Sequence, residues 1–240
     1  MIMIRSILFF TFLVINTVFI AGIGSLLAWA IPKRHIHIID NTWSRLNLWG
    51  LKFFCALSYR LQGEEHLPQQ NCIVFAKHQS AWETIALISL IPGPKSWVLK
   101  RELLSVPFFG WIMIYFKPIA IDRKSGRKAV DQIVEQGIDR LKAGNNVFIF
   151  PEGTRVAPGT RKRYGIGGAI LAEKSGYPVL PIAHNAGVFW RRRDIRKYPG
   201  IIDVRIGPLI PTQGRLASDI NKQAEEWIET TVEHLPTERL

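Results

Sequence analysis

The sequence contains only two cysteines in 240 residues. Cys55 and Cys72 lack the paired spacing of a metal site, and we favour a reduced, buried pair over a disulfide. Low-complexity runs and internal repeats are also missing, which argues against a disordered chain or a repeat architecture. With 48% hydrophobic residues and eight tryptophans, the chain has the composition of a globular or membrane-associated protein.

Acidic residues are few relative to basic ones. The chain has 19 Asp and Glu against 31 Lys and Arg, which gives a formal net charge of +12. This excess favours an anionic partner: nucleic acid, phospholipid headgroups or a phosphorylated substrate. A solvated basic surface is the alternative that charge alone leaves open.

No charged residue occurs between Arg5 and Lys33. Residues 7–31 form one apolar run, and about 20 apolar residues suffice to cross a bilayer core. A secretory signal is the rival interpretation, but its apolar stretch is only about 7–15 residues long. The sequence therefore predicts a retained membrane anchor over residues 1–35. Phospholipid then becomes a better anionic partner than nucleic acid, which we do not expect to bind.

Lysine and arginine are commoner after the apolar run than before it. Only Arg5 and the amino terminus precede the run, whereas four basic residues follow it: Lys33, Arg34, Arg45 and Lys52. The positive-inside tendency predicts that the rest of the chain lies on the cytoplasmic face of an inner or cytoplasmic membrane. Residues 36–62 have the composition of an amphipathic or interfacial helical segment. A plain core helix there, and a re-entrant rather than a crossing anchor, both stay open.

Residues 63–240 alternate apolar runs with helical patterns. Strands are predicted at 72–76, 96–99, 118–121, 146–150, 179–184 and 201–207. Helices are predicted at 84–91, 126–143, 166–175 and 217–233. Alternation of strands and helices predicts one α/β domain in this part of the chain.

Residues 77–84 read KHQSAWET, directly after a predicted strand and before a helix. His78 and Glu83 stand five positions apart, which within a regular helix would place them about 140° apart. Contact therefore requires His78 in the loop and Glu83 in the first helical turn. Ser80 and Glu83 form a capping box that starts the helix there. Glu83 either only caps the helix or also orients His78, which is then able to remove a proton.

The same five-residue interval separates His35 from Asp40. No loop and no second polar cluster follow that pair closely. We interpret His35 as an interfacial histidine and Asp40 as an ordinary helix or turn acid, so spacing alone does not identify a site.

Residues 150–155 read FPEGTR at the end of a predicted strand. Pro151 and Gly153 predict a turn there. Arg155 lies just past the turn and is suited to a bidentate grip on a phosphate. A surface turn with a solvated arginine is the alternative.

Four blocks, in this order, resemble the membrane-associated glycerolipid acyltransferases, specifically the 1-acyl-sn-glycerol-3-phosphate (lysophosphatidate) acyltransferases. The first block runs from His78 to Glu83, where the family usually has His-x4-Asp. The others are KREL with PFFG and IDR, then FPEGTR, then VLPI, at residues 100–103, 107–110, 121–123, 150–155 and 179–182. The resemblance covers residues 65–210 and implies a single mixed-sheet α/β catalytic domain behind the membrane-anchoring helical segment.

The resemblance also implies an activity. An acyl group would pass from acyl-CoA or acyl carrier protein to the free sn-2 hydroxyl of lysophosphatidate, giving phosphatidate. His78 would be the general base and Glu83 would orient it. The implied phosphate-binding residues are Arg155, Arg123, Lys100 and Arg101, and the turn is shaped by Glu152, Gly153 and Thr154. No metal or redox cofactor is implied, and because G-x-S-x-G is missing, an acyl-serine intermediate is not expected.

Other functions fit parts of the same pattern. The acceptor could be another lysophospholipid, glycerol 3-phosphate or a lyso-aminolipid. A different class of function is thioester hydrolysis, and a third is non-enzymatic binding of anionic lipid. The basic runs 161–163 and 191–193 face lipid, the phosphates of the acyl donor, or only solvent.

Overall fold

The computed structural model describes residues 1–27, 37–107, 109–122 and 125–239. Two long helices come first, α1 (Ile2–Leu27) and α2 (His37–Cys55). The strands are β1 (Leu57–Gln62), β2 (Ile73–Ala76), β3 (Lys95–Lys100), β4 (Ile119–Ile121), β5 (Asn146–Ile149), β6 (Val179–His184) and β7 (Gly200–Ile206). The other helices are α3 (Trp82–Leu90), α4 (Phe109–Tyr115), α5 (Arg127–Lys142), α6 (Gly167–Ser175), α7 (Ala186–Phe189) and α8 (Ala217–Glu233).

The strands form one seven-stranded sheet in the order β1-β7-β6-β2-β5-β3-β4. Neighbouring strands are parallel except β6 and β7, which are antiparallel. The predicted single α/β domain with a mixed sheet is therefore confirmed. All six predicted strands and all four predicted helices of this domain form, with ends within two residues of those expected.

The prediction of a helical segment over residues 36–62 is wrong at its carboxyl end. Helix α2 stops at Cys55, and Ala56 takes a left-handed conformation with φ 50°. The chain then enters β1, which pairs in parallel with β7 from Leu57 opposite Gly200 onward. The pairing with a strand more than 140 residues away decides the conformation, and no local pattern contains that information.

Helix α1 is apolar on all sides and largely uncovered. Of its most apolar window, within Ile2–Gly24, only 22% is buried, and among the described helices it alone is long and apolar enough to cross a membrane. Its amino-terminal end is nonetheless attached to the domain, since Arg5 donates to the Phe54 carbonyl and Ser6 Oγ accepts the Lys197 N–H at 2.8 Å. An exposed apolar helix fits the predicted anchor. Residues 28–35 of the predicted anchor lie outside the described residues.

The central strands β2, β5 and β6 are buried on both faces. Side chains on one face pack against α2 and α3, and those on the other face pack against α5, α6 and α8. This two-sided burial explains why the strands appear in the sequence as unbroken apolar runs. Cys55 and Cys72 are buried and unpaired, as predicted. The carboxyl ends of β2, β5 and β6 meet at one edge of the sheet, where ligand sites of open α/β sheets form.

Candidate active site

The loop after β2 holds His78 against Glu83. Glu83 Oε1 lies 2.9 Å from His78 Nδ1 and also accepts the backbone N–H groups of Gln79 at 2.8 Å and Ser80 at 2.7 Å. The Glu83 side chain is fully buried. Burial by itself would raise the pKa of Glu83, but His184, His78 and the Ser80 N–H outweigh it and hold the pKa below its usual value. Glu83 is therefore an anion at neutral pH.

The same contacts start helix α3. Ser80 Oγ accepts the N–H of Trp82 at 3.1 Å, while Glu83 returns to accept the N–H of Ser80. The predicted capping box forms only in part: Glu83 accepts the Ser80 N–H, but Ser80 Oγ bonds to Trp82 rather than to the Glu83 N–H, and Ala81 rather than Ser80 is the N-cap of α3. The sequence left open whether Glu83 only caps the helix or also orients His78. In the structure one carboxylate makes both sets of contacts.

The His78 ring is fixed on a second side by Phe150. The two rings stack with centroids 4.0 Å apart and planes inclined by 11°. Trp97 supports Phe150, with ring centroids 5.7 Å apart. Because Glu83 is bound to Nδ1, Nε2 of His78 is the nitrogen left for a substrate. Phe150 was not predicted as a site residue; the signal available in the sequence was that it ends a predicted strand, as the residues just before His78 do.

The FPEGTR loop after β5 is bonded to the backbone of His78 from both sides. Glu152 Oε2 accepts the His78 N–H at 2.6 Å, and Val156 donates its N–H to the His78 carbonyl at 2.8 Å. Gly153 has φ +67° and donates to the Phe150 carbonyl at 2.9 Å, so glycine provides the left-handed turn conformation. The two sequence motifs thus form one connected loop pair.

A buried ionic cluster lies beneath this loop pair. Lys77 Nζ is 2.8 Å from Glu152 Oε1 and 2.7 Å from Glu229 Oε1 on α8, and Tyr164 donates to Glu229 at 2.9 Å. The side chains of Lys77 and Glu152 are 1% and 0% exposed. Glu152 was predicted to shape the turn; in the structure its carboxylate pairs with Lys77 and accepts the His78 N–H. Lys77, Tyr164 and Glu229 were not predicted, since Glu229 lies 152 residues from Lys77.

The basic runs 161–163 and 191–193 are exposed and flank the FPEGTR loop. Lys162 donates to the Glu152 carbonyl at 2.7 Å, and Arg192 donates to the Arg155 carbonyl at 3.1 Å. Both runs therefore border the loop that carries Arg155. Whether they face lipid or the phosphates of an acyl donor stays a prediction.

Comparison with known proteins assigns the family. A sequence model of the acyltransferase family matches residues 58–185. A 1-acyl-sn-glycerol-3-phosphate acyltransferase of Pseudomonas aeruginosa is 41% identical over 234 residues, which cover 95% of this chain and 90% of that protein. The chain belongs to the acyltransferase family.

Two more distant proteins are also similar to this chain, one in sequence and one in fold. A protein of Saccharomyces cerevisiae with the same name is 27% identical to this acyltransferase over 231 residues, which cover 90% of the chain and 72% of the yeast protein. The crystal structure of the 1-acyl-sn-glycerophosphate acyltransferase PlsC from Thermotoga maritima superposes with a TM-score of 0.83 at 21% identity. The match covers 100% of this chain and 98% of that one, so the two proteins share the fold.

The acyltransferase has a cavity of about 420 Å³ in front of His78. Its walls are mainly apolar side chains from α1, α2, α3, β3 and α4, together with three groups of the predicted site: His78, Lys100 and Arg155. The other lining residues are Thr17, Ile20, Ala21, Ile39, Asp40, Trp43, Thr84, Ile88, Lys95, Trp97, Val98, Leu99, Leu103, Met113, Phe116 and Phe150. A base and three cationic side chains, Lys95, Lys100 and Arg155, therefore share one opening into a mainly apolar space with Asp40.

The predicted phosphate-binding residues are placed differently from one another. Lys100 and Arg155 line the cavity, and Lys100 Nζ is also 2.8 Å from the Glu102 carboxylate. Arg101 is exposed and is not part of the cavity wall. Arg123 and His35 lie outside the described residues. In the described part of the acyltransferase, no group of three or more His, Cys, Asp and Glu side chains is arranged to hold a metal ion.

The ionic cluster makes the stability of the acyltransferase depend on pH. Burial, with a smaller contribution from Glu229, raises the pKa of Glu152 to about 7 from a usual value of 4.5, although Lys77 opposes the shift. The native state then binds more protons than the unfolded state between pH 4.5 and 7, so the stability from this group is lost as pH rises through that window.

We therefore expect the free energy of unfolding to fall, on the order of 2 kcal/mol, between pH 5 and pH 8 because of Glu152. Urea unfolding in detergent, followed by tryptophan fluorescence at several pH values, measures this. Glu152→Gln should flatten the pH dependence, whereas Glu226→Gln on the exposed side of α8 should leave it unchanged. An equal slope in wild type and Glu152→Gln would show that another group is responsible.

Proposed function

We propose that the chain transfers an acyl group from acyl-CoA or acyl carrier protein to the sn-2 hydroxyl of lysophosphatidate, with His78 as general base. The observation that carries this proposal is the buried Glu83 carboxylate bonded at 2.9 Å to Nδ1 of a histidine on the cavity wall. Further support comes from the name of the Pseudomonas relative, 1-acyl-sn-glycerol-3-phosphate acyltransferase.

An alcohol is a poor nucleophile until its proton is removed. In the proposed reaction His78 Nε2 accepts the hydroxyl proton as the acceptor oxygen attacks the thioester carbonyl carbon. The Glu83 carboxylate stabilises the imidazolium that forms. The tetrahedral intermediate then expels the donor sulfur, which takes the proton from Nε2. The products are phosphatidate and the free thiol of the donor.

Cationic side chains on the cavity wall bind the phosphate of the acceptor in the proposed complex. Arg155 is half-buried in the loop directly after β5, and Lys100 lies at the end of β3. A planar guanidinium can bind two phosphate oxygens at once, whereas an ammonium acts as a point charge. We assign the main phosphate contact to Arg155 and a supporting one to Lys100. Arg101 and Arg123 stay predictions.

The apolar part of the cavity suits an acyl chain, and its walls include α1. Ile20 and Ala21 of α1 line the space, while the outer side of the same helix exposes Ile15 and Phe19. Trp49 and Phe53 of α2 are also exposed, and their rings stack with centroids 5.3 Å apart. Such a surface supports location at a membrane. The proposal that the catalytic domain lies on the cytoplasmic face rests on the basic residues that follow the apolar run.

The function is tested by supplying labelled acyl-CoA, and separately labelled acyl carrier protein, to membranes that contain the protein. Lysophosphatidate, lysophosphatidylethanolamine and glycerol 3-phosphate are compared as acceptors. We expect phosphatidate from lysophosphatidate. Free fatty acid as the sole product would identify a thioesterase, and no turnover with any acceptor would favour a lipid-binding protein.

Arg155→Ala should raise the KM for lysophosphatidate by about 10- to 100-fold and change kcat much less, since a charge-assisted contact to the acceptor is removed. Steady-state kinetics with varied acceptor at saturating donor measures this. Arg215→Ala is the matched control, because Arg215 is bonded within its own surface segment to Pro211 and Gln223. A loss confined to kcat would contradict the phosphate-binding assignment.

A further inference from the structure

A second histidine approaches the carboxylate that holds His78. His184 is the last residue of β6, is fully buried, and places Nε2 3.9 Å from Glu83 Oε2. Among the described residues, Oε2 has no hydrogen-bond partner, whereas Oε1 accepts three hydrogen bonds. A buried carboxylate oxygen without a donor is costly, so a polar group 3.9 Å from it affects its position.

The hydrogen bonds of His184 define its protonation. Nδ1 accepts the N–H of Ala186 at 3.2 Å, and Nε2 lies 2.8 Å from the Lys77 carbonyl, to which it donates. The ring is therefore neutral with its proton on Nε2, which is the positive end of the ring dipole and the end nearest Glu83. Burial also lowers the pKa of His184; Glu83 and the hydrogen bond to the Lys77 carbonyl oppose the shift, and the charges of His78 and Lys77 add to it. Trp82 packs edge-on against the ring at a centroid distance of 5.9 Å.

The length of the Glu83 side chain matters to this arrangement. The carboxylate lies between two imidazoles, with Oε1 toward His78 and Oε2 toward His184. An aspartate would set the carboxylate back by one carbon–carbon bond, about 1.5 Å. From the same backbone position, an aspartate that kept the backbone bonds at the start of α3 would lie farther from one or both rings.

We propose that His184 is a positioning residue that holds the Glu83 carboxylate, and through it the His78 ring, in the reactive arrangement. His184 is not part of the cavity wall and acts only through Glu83. Its Nε2–H attracts Oε2 and prevents the carboxylate from turning away from Nδ1 of His78. The kinetic test of this inference rests on the proposed acyl transfer, whereas its spectroscopic test does not.

A double-mutant cycle separates positioning from packing. His184→Leu should lower kcat about tenfold with unchanged KM for donor and acceptor, and His184→Gln, which keeps an N–H donor, should recover most of the loss. In a Glu83→Gln background, His184→Leu should cause no further loss. Additive losses in the double variant, or equal losses for the Leu and Gln variants, would overturn the inference.

A measurement without substrate tests the protonation of His184. In detergent-solubilised protein labelled with ¹⁵N-histidine, one ring should show the neutral Nε2–H signals from pH 6 to pH 8, and these should vanish in His184→Gln. A ring at this position that titrates in that range, or carries its proton on Nδ1, would contradict the inference. If the wild-type protein fails to transfer acyl groups, the proposed function is contradicted. The ¹⁵N signal still tests the protonation of His184 in that case.

Discussion

Replacing His78 with alanine should lower kcat for acyl transfer by about 10²- to 10⁴-fold, with little change in the KM of either substrate. In the proposed mechanism the imidazole removes the acceptor proton, since Glu83 occupies Nδ1 and the ring lines the cavity. The loss should appear in kcat, since proton removal occurs in the transition state and not on binding.

Initial rates with purified protein in detergent, at saturating lysophosphatidate and acyl-CoA, measure this effect. His234→Ala is the control, because His234 is exposed just after α8 and its Nδ1 is near only the Thr230 carbonyl in the described structure. Unchanged activity in His78→Ala would eliminate the proposed base. A loss of the folded state, rather than of turnover, would be seen in the unfolding transition of the variant.

Replacing Lys77 with methionine should destabilise the protein by about 3–5 kcal/mol. Two buried carboxylates, Glu152 and Glu229, share the Lys77 ammonium at 2.7–2.8 Å. Methionine retains much of the side-chain length but leaves these carboxylates facing each other without a cation. Because Glu152 also accepts the His78 N–H, the distortion should reach the catalytic loop and lower activity as well.

The exposed side of α8, the helix that carries Glu229, provides a control for this prediction. Arg161 pairs with Glu233 of α8 in an exposed ion pair, so Arg161→Met removes a cation from a glutamate of α8 without leaving a buried charge. Its effect on stability should be small. Urea unfolding of both variants in detergent gives the comparison. Similar losses for Lys77→Met and Arg161→Met would show that burial of the cluster is not what makes it important.

The strands that carry the site could be predicted because each is buried on both faces. β2, β5 and β6 appear as unbroken apolar runs, and the start of α3 is encoded locally by Ser80 and Glu83. Strand β1 was missed because only its pairing with β7 makes it a strand. Local sequence was thus sufficient where burial or capping dictated the conformation.

The rest of the site depends on contacts between distant segments. His184 approaches Glu83 because β6 lies beside β2 in the sheet, an order that no local pattern specifies. Lys100 and Arg101 are adjacent in sequence, yet only Lys100 lines the cavity, because β3 ends at Lys100 and the chain turns into a short 3₁₀ helix from Arg101. Motifs therefore indicated which loops meet, and the fold determined which side chains within them meet.

The membrane helix α1 is also a structural part of the catalytic domain. Phe9 is fully buried and packs edge-on against Trp190 at 5.8 Å, and Ile20 and Ala21 form part of the cavity wall. A chain shortened to begin after α1 would lose both this packing and one side of the substrate cavity. Solubility gained in that way would be gained at the expense of the active site, so biochemical work on this protein requires the full chain in detergent or lipid.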